Sequence, residues 1–64
     1  MQRWEYKMAY RSEHVEGWVI DGQPAPELQK MDDPEVLNRL GREGWELVAV
    51  VGYTYFLKRP LAQP

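Results

Sequence analysis

Few residues of this chain have the types and spacing that chemistry requires. Ser12 and His14 stand two apart, so in an extended segment both side chains fall on one side, as a nucleophile and its base would. Acyl transfer would also need a group to orient the histidine and donors for an oxyanion, and nothing nearby supplies them. His14 with Glu13 and Glu16 could touch a metal ion. A structural zinc site, however, takes four Cys or His ligands, and the chain has no cysteine and one histidine. Asp32 and Asp33 are adjacent carboxylates with a simpler use, capping the helix that follows. Gly41-Arg42-Glu43-Gly44 comes at a helix end, whereas phosphate-binding loops open a helix. The sequence therefore predicts no catalytic residue, no cofactor-binding or metal-ligating residue, no cofactor and no enzymatic activity.

Aromatic side chains offer a different chemistry. Three Trp, four Tyr and one Phe are interleaved with Arg3, Lys7, Arg11, Lys58 and Arg59, a composition that could stack single-stranded bases on a sheet. In the first strand, though, the basic residues lie on the opposite parity from the aromatics, and the basic-glycine-aromatic pattern of RNA-binding sheets is missing. Burying large rings is how a small domain gains stability, so core and interface packing is the leading reading. Trp45, directly behind Gly44, is expected to plug the open end of the core. Trp18, in the least regular stretch, is the tryptophan expected to meet a partner.

The elements that must position these residues follow from periodicity. Residues Gln2 to Tyr10 place Trp4, Tyr6, Met8 and Tyr10 on one parity and Arg3, Glu5 and Lys7 on the other, the pattern of a half-buried strand. Val15 to Ile20 reads as a second strand, ended by Asp21-Gly22. Gln23-Pro24-Ala25-Pro26 reads as a stiff loop, because prolines cannot sit in a central strand. Asp33-Pro34-Glu35 starts a helix, with Asp33 as its cap and Pro34 at its first helical position. Val36, Leu37 and Leu40 form its apolar stripe, and Gly44 is placed to end it in a left-handed conformation. Trp45 to Val51 and Tyr53 to Arg59 form two strands around a tight Gly52 turn.

These elements predict an α+β fold: one antiparallel four-stranded sheet, β-β-α-β-β with strand order 2-1-4-3, and one helix packed on one face. Residues 1–64 are expected to form a single compact domain. By parity, one face of the last hairpin holds Trp45, Leu47, Ala49, Thr54, Phe56 and Lys58; the other holds Glu46, Val48, Val50, Tyr53, Tyr55 and Leu57. Both are apolar, yet one helix covers only one face. The small residues Gly41 and Ala49 favour the Leu47 face beneath the helix. Val48, Val50, Tyr53, Tyr55 and Leu57 are then left, with Trp18, as the candidate interface.

Size and charge bound the rest. A chain of 64 residues buries only about 60% of its unfolded surface and is marginal without reinforcement. With no disulfide and no metal, self-association and dense aromatic packing are the remaining means. Eight Lys or Arg against ten Asp or Glu, net −2, is no basis for phosphate-backbone binding. No apolar run reaches the roughly 18 residues of a membrane span, and MQRWEYK lacks the apolar stretch of a signal peptide. A cytoplasmic protein is expected, with neither nucleic acid nor a membrane as partner.

Three motifs carry a resemblance. WEYK (Trp4 to Lys7), LNRLGREGWELV (Leu37 to Val48) and FLKRPL (Phe56 to Leu61) are similar to the small bacterial proteins grouped as domain-of-unknown-function family 4177. The resemblance implies a compact single domain, found alone or fused to other segments, with no established activity, so it carries over no catalytic residue. Arg11 to Lys30 departs from the pattern with a Trp-containing, Pro-rich segment. The expected function is a small, non-enzymatic, homo-oligomeric domain acting through protein–protein contacts. The alternative is a nucleic-acid or small-ligand binding module using exposed aromatics and Arg or Lys.

Overall fold

The computed structural model describes residues 1–12, 14 and 17–61. Strand β1 spans Trp4–Arg11, β2 Trp18–Ile20, β3 Gln23–Ala25, helix α1 Asp33–Arg42, β4 Glu46–Val51 and β5 Thr54–Pro60, with one 3-10 turn at Pro26–Leu28. Every strand pairing is antiparallel, in the order β3-β2-β1-β5-β4.

The four-stranded sheet of the sequence reading is thus corrected to five strands. The added strand is β3, part of the stretch read as a loop. Asp21 and Gly22 both take positive φ, +50° and +82°, and join Ile20 to its partner Gln23. That is the two-residue type I′ geometry whose twist matches the flanking strands. Pro24 is tolerated because β3 lies at the sheet edge, where its missing N–H removes no bond on the outer side. The exclusion of proline applies to central strands, and β3 is not one.

Helix α1 begins one residue earlier than expected. Asp32, not Asp33, is the cap: its carboxylate accepts from the Glu35 amide and Glu35 accepts from the Asp32 amide, a reciprocal capping box. At the other end Gly44, φ +94°, donates to the Gly41 carbonyl while Trp45 donates to that of Leu40. These two bonds form a Schellman motif. It turns the chain at Gly44 and delivers Trp45 into the core three residues past the end of the helix.

Helix α1 covers the face of β1 opposite to the one its aromatics predict. Ala9 is fully buried beneath it, in one cluster with Trp18, Ala25, Leu28, Val36, Leu40, Trp45 and Leu57. Cross-strand partners share a face, so Glu5, Lys7 and Ala9 lie with Arg59, Leu57 and Tyr55 on the helix side. Trp4, Tyr6, Met8 and Tyr10 lie on the other side with Pro60, Lys58, Phe56 and Thr54. A β-bulge between Leu47 and Ala49 inserts one residue and breaks the parity of β4. Leu47 and Val50 fall on the helix side opposite Leu57 and Tyr55, while Glu46, Ala49 and Val51 fall on the open side opposite Lys58, Phe56 and Thr54. The helix therefore lies over Leu47 as expected, but also over Val50, Tyr55 and Leu57, which parity assigns to the open face, while Ala49, Phe56 and Lys58 lie on the open side. Gly41 is exposed, with nothing within 4 Å of a Cβ built on it, so it mediates no close approach to Ala49.

Candidate protein-contact surface

The open face of the sheet is an apolar surface that no element covers among the described residues. β1 presents Trp4, Tyr6 and Met8 there because alternation puts every second residue on one side. Tyr6 is 68% exposed, Met8 41% and Trp4 37%, and Val51 on β4 is 64% exposed. Toward β2 the same face closes on itself: Val19, which pairs with Tyr10 and Pro24, is buried. The Lys58 ammonium lies 4.0 Å from the centroid of the Trp4 ring, and Glu46 stands opposite Lys58 across the ladder. The one strand cation on this face is thus stacked on an aromatic ring and beside a carboxylate. Lys7, Arg11 and Arg59 all belong to the other side.

On that other side the cations roof the core. The Lys7 ammonium and the Arg59 guanidinium lie 4.7 and 4.2 Å from the centroid of the Trp45 ring, and that of Arg11 4.9 Å from the centroid of Trp18. Their aliphatic stems cover apolar surface while the charged ends reach partners. Arg59 pairs with Glu5 and donates to the Glu43 carbonyl, and Lys7 faces Asp21 at 3.6 Å.

At the helix N-terminus these contacts build a small cleft of about 230 Å³ lined by Arg11, Trp18, Asp33, Gly52, Tyr53 and Tyr55. Asp33 Oδ1 accepts from Arg11 at 2.8 Å and Asp33 Oδ2 accepts from the Tyr55 hydroxyl. The Tyr55 hydrogen bond, with a smaller contribution from Arg11, holds the Asp33 carboxyl below its ordinary value of 3.8. The same bond, together with burial and the carboxylate's charge, raises the Tyr55 phenol above its ordinary 10.0. Arg11 also donates to the Met31 carbonyl, as does the Trp18 indole N–H at 3.0 Å. Arg11, Trp18, Asp33 and Tyr55 are each engaged by another residue of the chain, so they form a strut between sheet and helix.

The residues marked in the sequence separate accordingly. Trp18 and Leu57, each 1% exposed, are core residues, and Tyr55 is tied to α1. Val48, Val50 and Tyr53 are exposed, Val48 at the bulge, Val50 on the sheet edge and Tyr53 in the Gly52 turn. Trp45 is buried and closes the core, as its position behind Gly44 implies. The Ser12 hydroxyl accepts from the His14 backbone amide, a local turn bond. Glu13 and Glu16, the carboxylates read beside His14, lie outside the described residues, as does Val15 at the expected start of the second strand. Among the described residues no group of three or more His, Asp or Glu side chains converges as metal ligands, and no helix is long and apolar enough to cross a membrane. The Arg11–Asp33–Tyr55 cluster escaped the sequence reading: its members stand 22 residues apart in turn, and no local pattern joins them.

An α+β domain with one covered and one open sheet face is the class that this geometry defines. Within it, the chain belongs to the family described as Domain of unknown function (DUF4177), whose pattern matches residues 4–59. No curated protein and no solved structure matches the chain.

Proposed function

We propose that this chain is a small, non-enzymatic, homo-oligomeric domain that acts through protein–protein contacts, with the open sheet face as its working surface. The observation that carries the reading is the exposure of Trp4, Tyr6, Met8 and Val51 together on a face that no element covers among the described residues. Contiguous apolar surface of this kind marks interaction sites on soluble domains. Aromatic and methionine side chains are also what such sites favour. Arg11, Asp33 and Tyr55 of the cleft are engaged in structural contacts, which supports a binding role over catalysis. Self-association fits a chain that lacks disulfides and must stabilise a small core by other means.

The stacking of Lys58 on Trp4 favours a second reading, a nucleic-acid or small-ligand binding module. Against it, Lys7, Arg11 and Arg59 point to the opposite side, and Glu46 stands opposite Lys58. An oligonucleotide titration at two salt concentrations separates the readings, since phosphate contacts release counterions and weaken steeply with salt. For the leading reading, sedimentation should show an oligomer. Radical footprinting of Tyr6 and Met8 should show protection when a protein is bound. A folded monomer at high concentration whose Tyr6 and Met8 stay fully reactive in every complex would overturn it.

A further inference from the structure

The two edges of the sheet are guarded very differently. β3 has three residues, contains Pro24 and runs directly into Pro26, and short strands and prolines are what keep an edge from pairing. β4 has six residues, Glu46–Val51, all exposed, and among the described residues only β5 pairs with it. Its run Leu47-Val48-Ala49-Val50-Val51 holds no charge, proline or glycine. It consists of apolar, mostly β-branched residues suited to a strand. The bulge at Val48 is the one guard on this edge. Beyond it Ala49, Val50 and Val51 pair regularly with Phe56, Tyr55 and Thr54. Val51 and Thr54 close the two-residue turn as a hydrogen-bonded pair, so by alternation the N–H and C=O of Val50 point outward from the edge.

We propose that β4 pairs with β4 of a second copy of this chain, antiparallel across a two-fold axis, so that two five-stranded sheets become one continuous sheet. This rests on the self-association reading above and says how the copies meet. Unpaired N–H and C=O groups on a strand edge are completed by another strand. Charge selects the second copy and its direction. The single ionised side chain of β4, Glu46, sits at one end opposite Lys58. Parallel pairing would set two Glu46 side by side, where like charges destabilise the ladder. Antiparallel pairing sends them to opposite ends of the joint, at least roughly 15 Å apart by strand rise, beyond the screening length of about 8 Å at physiological salt. A charged foreign segment finds no counter-charge on residues 47–51, whereas a second β4 meets an equally apolar strand. With the two-fold axis perpendicular to the sheet, both helices lie on one side. The open faces, each with Trp4, Tyr6 and Met8, then join into one platform on the other.

Sedimentation equilibrium of the parent, with Val50→Lys and Val50→Glu variants alone and mixed, tests this. Val50 is half exposed and lies near the axis, so each variant alone sets like charges across the joint. The parent is expected as a dimer. Each variant should be a folded monomer, with self-association at least tenfold weaker, and the equimolar mixture should dimerise again. Amide exchange in β4 of the parent should slow as concentration rises, a readout that needs no variant to fold. A parent dimer insensitive to Val50→Lys but broken by Tyr6→Glu would overturn the edge joint and leave self-association standing through the open face. A parent that stays monomeric at millimolar concentration, with β4 exchange independent of concentration, would overturn both.

Discussion

Trp18 and Trp45 close opposite ends of the core, one before the start of α1 and one after its end, and both are roofed by cations. Their anchoring differs. Trp18 is held by directed bonds: its indole N–H reaches the Met31 carbonyl, Arg11 covers its ring, and Tyr55 packs beside it with ring centroids 6.1 Å apart while bonding Asp33. Trp45 is held by position, through the Schellman turn at Gly44, and by two cations stacked on its ring. The difference teaches that a tryptophan can be fixed either by its polar edge or by the backbone that delivers it. Substitutions should separate the two means.

The largest effect is expected at Trp18. Trp18→Ala should cost about 3 to 5 kcal/mol, most of the stability of a domain this small, so the variant should lack a cooperative thermal transition by circular dichroism. Trp45→Ala should fall at the lower end of that range, because its ring is 8% exposed and the cations above it can relax toward water. Equal losses in urea titrations would show that the bond to Met31 adds nothing.

Backbone effects come next, and they belong to the Trp45 end. Gly44→Ala should destabilise by about 1 kcal/mol or more, since a side chain is strained at positive φ. Gly41→Ala, three residues earlier in helical conformation and with open space around a new Cβ, should be neutral or stabilising by up to about 1 kcal/mol. A Gly44→Ala variant that melts with the parent would sink the account of how Trp45 is delivered.

A pH effect belongs to the Trp18 end. Asp33 is depressed in the folded state, so its contribution is fully present above its ordinary value of 3.8 and is lost as pH falls through its lower folded value. Tyr55 is raised, so its contribution is present below its ordinary 10.0 and is lost as pH rises through its higher folded value. Tyr55→Phe removes the main cause of the Asp33 shift. It should lower the neutral-pH midpoint by a few degrees and flatten the acid limb. A variant acid limb as steep as the parent's would break the assignment.

Salt should give the smallest effect, at the Trp45 end. The Arg59–Glu5 and Lys7–Asp21 pairs are partly exposed, and such pairs contribute little and are screened. Raising salt to 1 M should therefore lower the parent's midpoint by a degree or two. Lys7→Met, which keeps an apolar stem over Trp45, should reduce that dependence. A larger salt response in Lys7→Met would mean that the ion pairs are not the source.

Much of the local structure was legible. Pro34 and Glu35 marked the start of α1, Gly44 its end, Gly52 the last hairpin, and the alternation of β1 its strand character. Each is a matter of one residue's own backbone or of spacing between near neighbours. The Asp21-Gly22 turn was equally local, but Pro24 beside it concealed the strand that follows. Proline's cost depends on whether a strand is central or at an edge, which neighbours in space decide. The Arg11–Asp33–Tyr55 strut had no signal at all, because three elements must assemble before it exists.

What the sequence determined by itself is therefore the inventory: a helix with its two ends, four strand segments, no thiol and too few histidines for a structural zinc site. Only the tertiary structure decided which side of the sheet is which. The alternation of β1 marked a half-buried strand with Trp4, Tyr6 and Met8 on one parity, whereas the helix lies on the side of the other parity, where Ala9 is fully buried. Long Glu, Lys and Arg side chains bridged the margins of that covered face. One bulged residue at Val48 then reversed the parity of β4. Alternation fixes that successive residues point to opposite sides; it does not fix which side the helix will choose. That choice rests on steric fit between elements distant in the chain.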